Sequence, residues 1–173
     1  IKFATFTSSD LPQRRFSGQI ERIGQPGARL VAKWEGAAQT QTRPVDVSDY
    51  HHAGQTLAAY LKESLPGSPI IGIGHRIVHG GTRLFDNQRV TPQLIAELRR
   101  SQPLDIAHLP GEISLLEIFG RSFADVPQVV CFDTAFYRDL PRVASMLPIP
   151  RRYFQAGVKR LGFHGLSDTY RME

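Results

Sequence analysis

The sequence predicts an α/β fold in which helices pack against a mixed sheet, and three observations carry that prediction. The first forty or so residues alternate apolar with polar positions, the period of half-buried strands. From Ser48 the period becomes helical, with apolar residues every four positions. Two later apolar runs, "PIIGIGHRIV" and "PQVVCFD", are separated by further helical stretches.

"IKFATF", "RRFSGQIERI" and "ARLVAKWE" open the chain as strands, with Phe16 and Ile20 on one and Leu30, Ala32 and Trp34 on the next. "GQPG" turns between two of them. "TQTRPVDV" reads as a further strand, and Pro44 marks its edge or end because proline cannot donate to a ladder. Ala53, Leu57, Leu61 and Leu65 form the stripe of a helix that Ser48 or Asp49 caps and Pro66–Gly67 stop. His51 and His52 fall in its polar first turns, on a solvated face. "PIIGIGHRIV" is expected to be a strand buried on both faces of its sheet. "TPQLIAELRR" is a helix with Thr91 at the cap and Pro92 at its first position. "GEISLLEIFGRSF" is another, with Ile113, Leu116, Phe119 and Phe123 on one stripe, and "PQVVCFD" returns to strand.

With 173 residues, 41% apolar and 21% charged, the chain can bury the core of one domain, or of one plus the beginning of another. No run approaches the roughly 18 apolar residues of a membrane span. A net charge of +5 attracts anions, but the arginines come in scattered pairs: Arg14–Arg15, Arg99–Arg100 and Arg151–Arg152. That pattern suits small anionic substrates and argues against a nucleic-acid partner. The single cysteine, Cys131, cannot form an internal disulfide, and its apolar setting predicts an inert thiol in a reducing cytoplasm. Ile1 stands where an initiating methionine would, "IKFATF" is already the body of a strand, and "LSDTYRME" reads as a helix without an end. A segment of a longer protein is expected.

The polar residues gather where apolar segments end: "GHRIVHGG" and "FDTAFY" after strands, "AHLPGE" before a helix, and "GFHGLSD" near the carboxyl end. Ligands of open α/β sheets collect at the carboxyl ends of strands, so these ends are expected to line one crevice. Arg76 offers a fixed fork of donors for a carboxylate or phosphate. Asp133 can hold Mg²⁺ or orient a nucleophile, and His108 and His164 can donate to an anion. No two histidines stand at helical ligand spacing beside a carboxylate, and no serine or cysteine sits in a nucleophile elbow. An arginine, an aspartate and hydrogen-bond donors around an anion suit phosphoryl transfer, which relies on positioning and charge stabilisation. Each residue also has a structural alternative. Arg76 can be a surface ion pair, Asp133 a helix cap, a histidine beside glycine a turn residue, and Phe163 part of the core.

"GHRIVHGG", "FDTAFY" and "GFHGLSD", in this order and spacing, resemble the motifs of the acetate kinase family, which includes propionate and butyrate kinases. "PLDIAHLP" is similar to the segment carrying that family's middle histidine, and "IKFATF" to the strand after its phosphate loop. The resemblance implies an RNase H-like lobe of the acetate kinase, actin and sugar kinase superfamily, lacking its first strand and phosphate loop. Residues 1–136 would form that amino-terminal lobe and residues 137–173 would lead into the second. It also implies roles. Arg76 would bind the acyl carboxylate or the phosphoryl group in flight, and His108 and His164 would hold the transferring phosphoryl. Asp133 would hold or position magnesium and the attacking carboxylate. Val78, Ala107 and Phe163 would wall the acyl pocket. The implied co-substrate is ATP with Mg²⁺, and the parent is expected to be a homodimer.

Four departures from the family pattern stand out. Leu109 follows His108 where asparagine is usual, Tyr137 and Asp168 each stand in place of histidine, and Ala107 replaces a leucine of the pocket. A smaller Ala107 would admit a longer acyl tail unless Leu109 refills the space. The expected parent activity is acetate kinase, with a propionate- or butyrate-preferring member as the nearer alternative. From another class, the chain by itself would be a catalytically silent fragment or binding module.

Overall fold

A computed structural model describes residues 1–81, 83–158, 160 and 162–172. They form two compact units, Ile1–Ile71 with Glu117–Ala124, and Gly72–Leu116 with Asp125–Glu173.

In the first unit β1 (Lys2–Phe6), β2 (Arg14–Glu21), β3 (Arg29–Trp34) and β4 (Gln41–Pro44) make an antiparallel meander in chain order. The alternation seen in the sequence sets its buried face. Phe16, Ile20, Leu30 and Ala32 are enclosed, and Trp34 stacks on its cross-strand partner Phe16 with ring centroids 4.3 Å apart. Pro44 closes β4 at the edge of the sheet. Helix α1 (Tyr50–Ser64) starts where the Asp49 side chain accepts from His52 N–H at 2.8 Å, satisfying one of the donors a helix start leaves open. It buries Ala53, Leu57, Ala58 and Leu61, and lays Tyr60 edge-on against Phe3 and Phe16. His51 and His52 are exposed, as expected of a solvated face.

The second unit holds the mixed pairing. β7 (Gln128–Phe132) lies between β5 (Ile73–Ile77), parallel to it, and the short antiparallel β6 (Gln88–Arg89). Helix α2 (Pro92–Ser101) is capped by the Thr91 side chain, and α3 (Leu109–Ser122) runs from "LPGE". Ile77, Val130 and Phe132 of the sheet pack into one core with Leu94 and Leu98 of α2 and Leu109, Ile113 and Leu116 of α3. Beyond β7 a 3₁₀ turn spans Asp133–Tyr137, followed by α4 (Arg142–Ser145), α5 (Arg151–Gln155) and α6 (Gly165–Met172). Glu173, the expected continuation of that last helix, lies outside the described residues.

Two expectations change here. β5 is not buried on both faces: Gly74 and Arg76 are exposed while Ile77 is enclosed, so the glycine and the arginine form an open face. Leu109 is fully enclosed among the core residues of α2 and α3, so it is committed to packing and is not free to refill an acyl pocket. Leu109→Ala should therefore destabilise the protein by about 2–5 kcal/mol, the cost of a cavity in a filled core, as read from urea unfolding. A change below about 1 kcal/mol would show that the leucine is not held there.

Candidate active site

Register explains how two residues 57 positions apart come together. In the parallel pair, Arg76 of β5 lies opposite Cys131 of β7. Side chains alternate along a strand, so Asp133, two residues beyond Cys131, projects on the same side as Arg76. Arg76 Nη2 donates to Asp133 Oδ2 at 2.6 Å, and Nε donates to the same oxygen at 3.0 Å. The Asp133 side chain is 1% exposed and that of Arg76 is 52% exposed, so a buried carboxylate anchors a cation that still reaches solvent. The hydrogen bond to Asp133 also raises the guanidinium's pKa.

His164 completes the corner. Its Nδ1 lies 3.3 Å from Arg76 Nη2. An arginine only donates, so Nδ1 accepts and the neutral ring carries its proton on Nε2. His164 has a φ of 64°, a left-handed conformation that non-glycine residues rarely adopt. Gly165 follows it because there is no room for more. A Cβ there would lie 1.9 Å from the Asp133 carbonyl oxygen. The Leu166 N–H at the start of α6 points to Asp133 Oδ1 at 3.4 Å. Asp133 does not cap its own 3₁₀ turn, whose cap position is Phe132; its carboxylate serves Arg76 and the start of α6.

His108 is held separately. Its Nδ1 lies 2.9 Å and 3.1 Å from the two Asp105 oxygens, and its backbone N–H donates to the same carboxylate. Burial works to raise the Asp105 carboxyl, but the hydrogen bonds from the His108 side chain and backbone outweigh it and leave it below its ordinary value. With Nδ1 turned to a carboxylate, Nε2 can donate to an anion only when the ring is an imidazolium.

Glu112, which the sequence reading did not single out, stands between these groups. Its carboxylate accepts from Val78 N–H at 3.1 Å, and the charges of both His108 and Arg76 act on it. Burial raises its pKa to about 7, against the pull of that hydrogen bond and of the two cations. Asp105 was missed as well. An acid three residues before a histidine at a helix start is its only sequence signal. The remaining histidines of "GHRIVHGG" are structural. His75 bonds Gln128 at 2.7 Å, and His79 Nδ1 accepts from Gly81 N–H at 2.7 Å; burial lowers the pKa of both.

Of the expected pocket walls, Val78 is half-buried, whereas Ala107 and Phe163 are exposed. Asp133 suits Mg²⁺ in ligand type, since that ion needs only one or two carboxylates when phosphates and water supply the rest. Its Oδ1 is the looser oxygen, with neighbours at 3.2 and 3.4 Å. Among the described residues no group of three or more His, Cys, Asp or Glu side chains is arranged to hold a metal.

The sequence profile of the acetokinase family matches residues 1–173. The chain belongs to the acetokinase family. It is 34% identical to the acetate kinase of Rhodopseudomonas palustris, over 98% of this chain and 44% of that protein. It is 37% identical to the propionate kinase of Citrobacter rodentium, over 95% of this chain and 42% of that protein. The crystal structure of Porphyromonas gingivalis acetate kinase superposes with a TM-score of 0.84 at 26% identity, covering 96% of this chain and 43% of that one. The Francisella tularensis propionate kinase structure gives 0.79 at 26% identity, covering 91% and 41%. The chain thus spans less than half the length of these acetokinase relatives, and over that span it has their fold.

Glu112 makes a pH prediction. Its ordinary value is 4.5, and in the fold it ionises near 7. A raised acid favours the fold below the lower value and loses that advantage as pH climbs to the upper one. Glu112→Gln, whose amide oxygen can still accept from Val78, should flatten the fall in Tm between about pH 4.5 and 7. An unchanged slope would mean that Glu112 is ionised throughout.

Proposed function

We propose that this chain supplies the acid-receiving part of an acyl-phosphate-forming kinase, transferring phosphoryl from ATP to a short carboxylic acid, with acetate as the first candidate. The observation that carries the reading is the anchored Arg76. Asp133 takes its Nε and Nη2 edge, and among the described residues Nη1 makes no hydrogen bond, leaving two donors for an incoming anion. Family membership supports the same assignment.

The chemistry then follows from where donors lie. Arg76 holds the acid, and one carboxylate oxygen attacks the terminal phosphorus of the nucleotide in line. The new O–P bond forms as the bond to the bridging oxygen breaks and ADP departs. His164 offers Nε2–H as a neutral ring, and His108, held at Nδ1 by Asp105, offers Nε2–H when its ring is an imidazolium, both to the oxygens of the moving phosphoryl. Preorganised donors of this kind supply most of the catalysis in phosphoryl transfer. Asp133 is the residue that would hold Mg²⁺, which when bound supplies charge neutralisation on the phosphates. Residues 1–136 act in this reading as the amino-terminal lobe and 137–173 as the lead into the second, a division that follows the family and not the two compact units. We place the reaction in the cytoplasm, in a homodimeric parent.

The acyl pocket decides the substrate. Ala107 is smaller than the leucine the family pattern has there, and Leu109 is spent on the core. A buried methylene contributes about 0.8 kcal/mol, a several-fold preference per carbon at most. Propionate is therefore favoured more here than in a member with leucine at this position.

The test uses the full-length protein with acetate or propionate, MgATP and hydroxylamine as a trap. Acyl hydroxamate should form, and Arg76→Ala should lose more kcat/KM than Arg76→Lys, because lysine keeps the charge but not the fork. Ala107→Leu should move the propionate-to-acetate ratio of kcat/KM toward acetate by about three- to tenfold. No hydroxamate with either acid would contradict the proposed activity, and an unchanged ratio would remove Ala107 from the pocket wall.

A further inference from the structure

The two histidine replacements noted in the sequence meet in the fold. Tyr137, the last residue of the 3₁₀ turn, places its hydroxyl 2.8 Å from Asp168 Oδ2 and 3.0 Å from the Phe163 carbonyl oxygen. Its ring lies against Gly162, where a Cβ would come within 2.2 Å of it. The hydrogen bond to Asp168 raises the phenol's pKa, which keeps the donor proton in place at neutral pH. Asp168 is tied back in turn, its N–H donating to the His164 carbonyl at 3.1 Å, beside that of Ser167 at 2.9 Å.

The segment from Gly162 to Asp168 is therefore fastened to one short turn at both ends. Asp133 grips the start of α6 through Leu166 N–H and the close approach of Gly165. Tyr137 grips the chain on either side of His164, through its ring against Gly162 before it and through its hydroxyl, whose one proton goes to the Asp168 side chain, after it. Between the two grips sits His164 in its left-handed conformation, its ring on Arg76. A strained backbone conformation persists only where its surroundings over-determine it. A tyrosine and an aspartate in one hydrogen bond also explain why the two departures occur together: each makes sense in the presence of the other.

We propose that Tyr137 and Asp168 form a latch that positions His164, and through it the free edge of Arg76, for phosphoryl transfer. Neither residue touches the acid; both act through the His164 backbone. The proposal rests on the acyl kinase reading and adds two positioning residues to it.

The test is a cycle in the full-length protein. Tyr137→Phe removes the hydroxyl and keeps the ring on Gly162, and Asp168→Ala removes the acceptor. Each should lower kcat about tenfold, since small misplacements of a catalytic group slow transfer steeply, and leave KM for the nucleotide within about twofold. The double variant should be no slower than either single one, because both break the same bond. Asp168→Asn, whose amide oxygen still accepts from Tyr137, should recover most of the rate. The His164 ring nitrogen NMR signals, recorded on the same samples, should shift in Tyr137→Phe and return toward the original in Asp168→Asn. Full kcat and unmoved ring signals in Tyr137→Phe would overturn the latch, as would additive losses in the double variant. If the unsubstituted protein forms no acyl phosphate, the kinase reading fails, and the ring signals alone then decide: a shift on Tyr137→Phe sustains the positioning of His164, and none overturns it.

Discussion

One buried carboxylate organises the candidate site. Asp133 is enclosed, and a charge taken out of water must be paired and hydrogen-bonded to be tolerated. Arg76 meets that demand from the neighbouring strand, and in doing so it loses the freedom of a long side chain. The orientation of the guanidinium is thus a consequence of the burial of its partner. His164 leans on the same guanidinium, and α6 begins on the same carboxylate, so the two later parts of the site inherit their positions from the first pair.

The backbone carries the same constraint. Gly165 brings α6 against the Asp133 carbonyl, closer than any residue with a Cβ could come, and His164 takes a left-handed conformation directly before it. On the other side, Glu112 accepts from Val78 N–H, two residues beyond Arg76, and links α3 to the end of β5. The end of β5 is therefore bound to three elements: β7 by register, α6 through His164, and α3 through Glu112. That explains the dense polar run after a strand which the sequence presents without explanation. Of its three polar side chains, His75 bonds Gln128 of the neighbouring strand, His79 bonds Gly81 N–H, and the arginine between them is the exposed one.

Much of this was legible in the sequence. The alternation of Phe16, Ile20, Leu30 and Ala32 gave the meander, and Thr91 with Pro92 gave the start of α2, because local chemistry determines both. Arg76, Asp133 and His164 were visible as polar residues at the ends of apolar runs, and the fold brings them together. What stayed hidden depends on contacts between distant segments. The burial that raises Glu112, and the 31-residue separation bridged by Tyr137 and Asp168, have no local signature. The expected burial of β5 on both faces failed for a physical reason as well: an apolar run with glycines cannot by itself show which face a three-stranded sheet leaves open.

In the proposed function, Asp133 fixes Arg76 as the receiver of a carboxylate before any nucleotide or metal arrives. Acetate affinity, measured by calorimetry on the full-length protein without magnesium or nucleotide, tests it most directly. Asp133→Asn should weaken acetate binding about tenfold, Arg76→Ala by at least as much, and the double variant no further than Arg76→Ala alone. An Asp133→Asn protein that is folded and binds acetate as tightly as the unsubstituted one would contradict the claim.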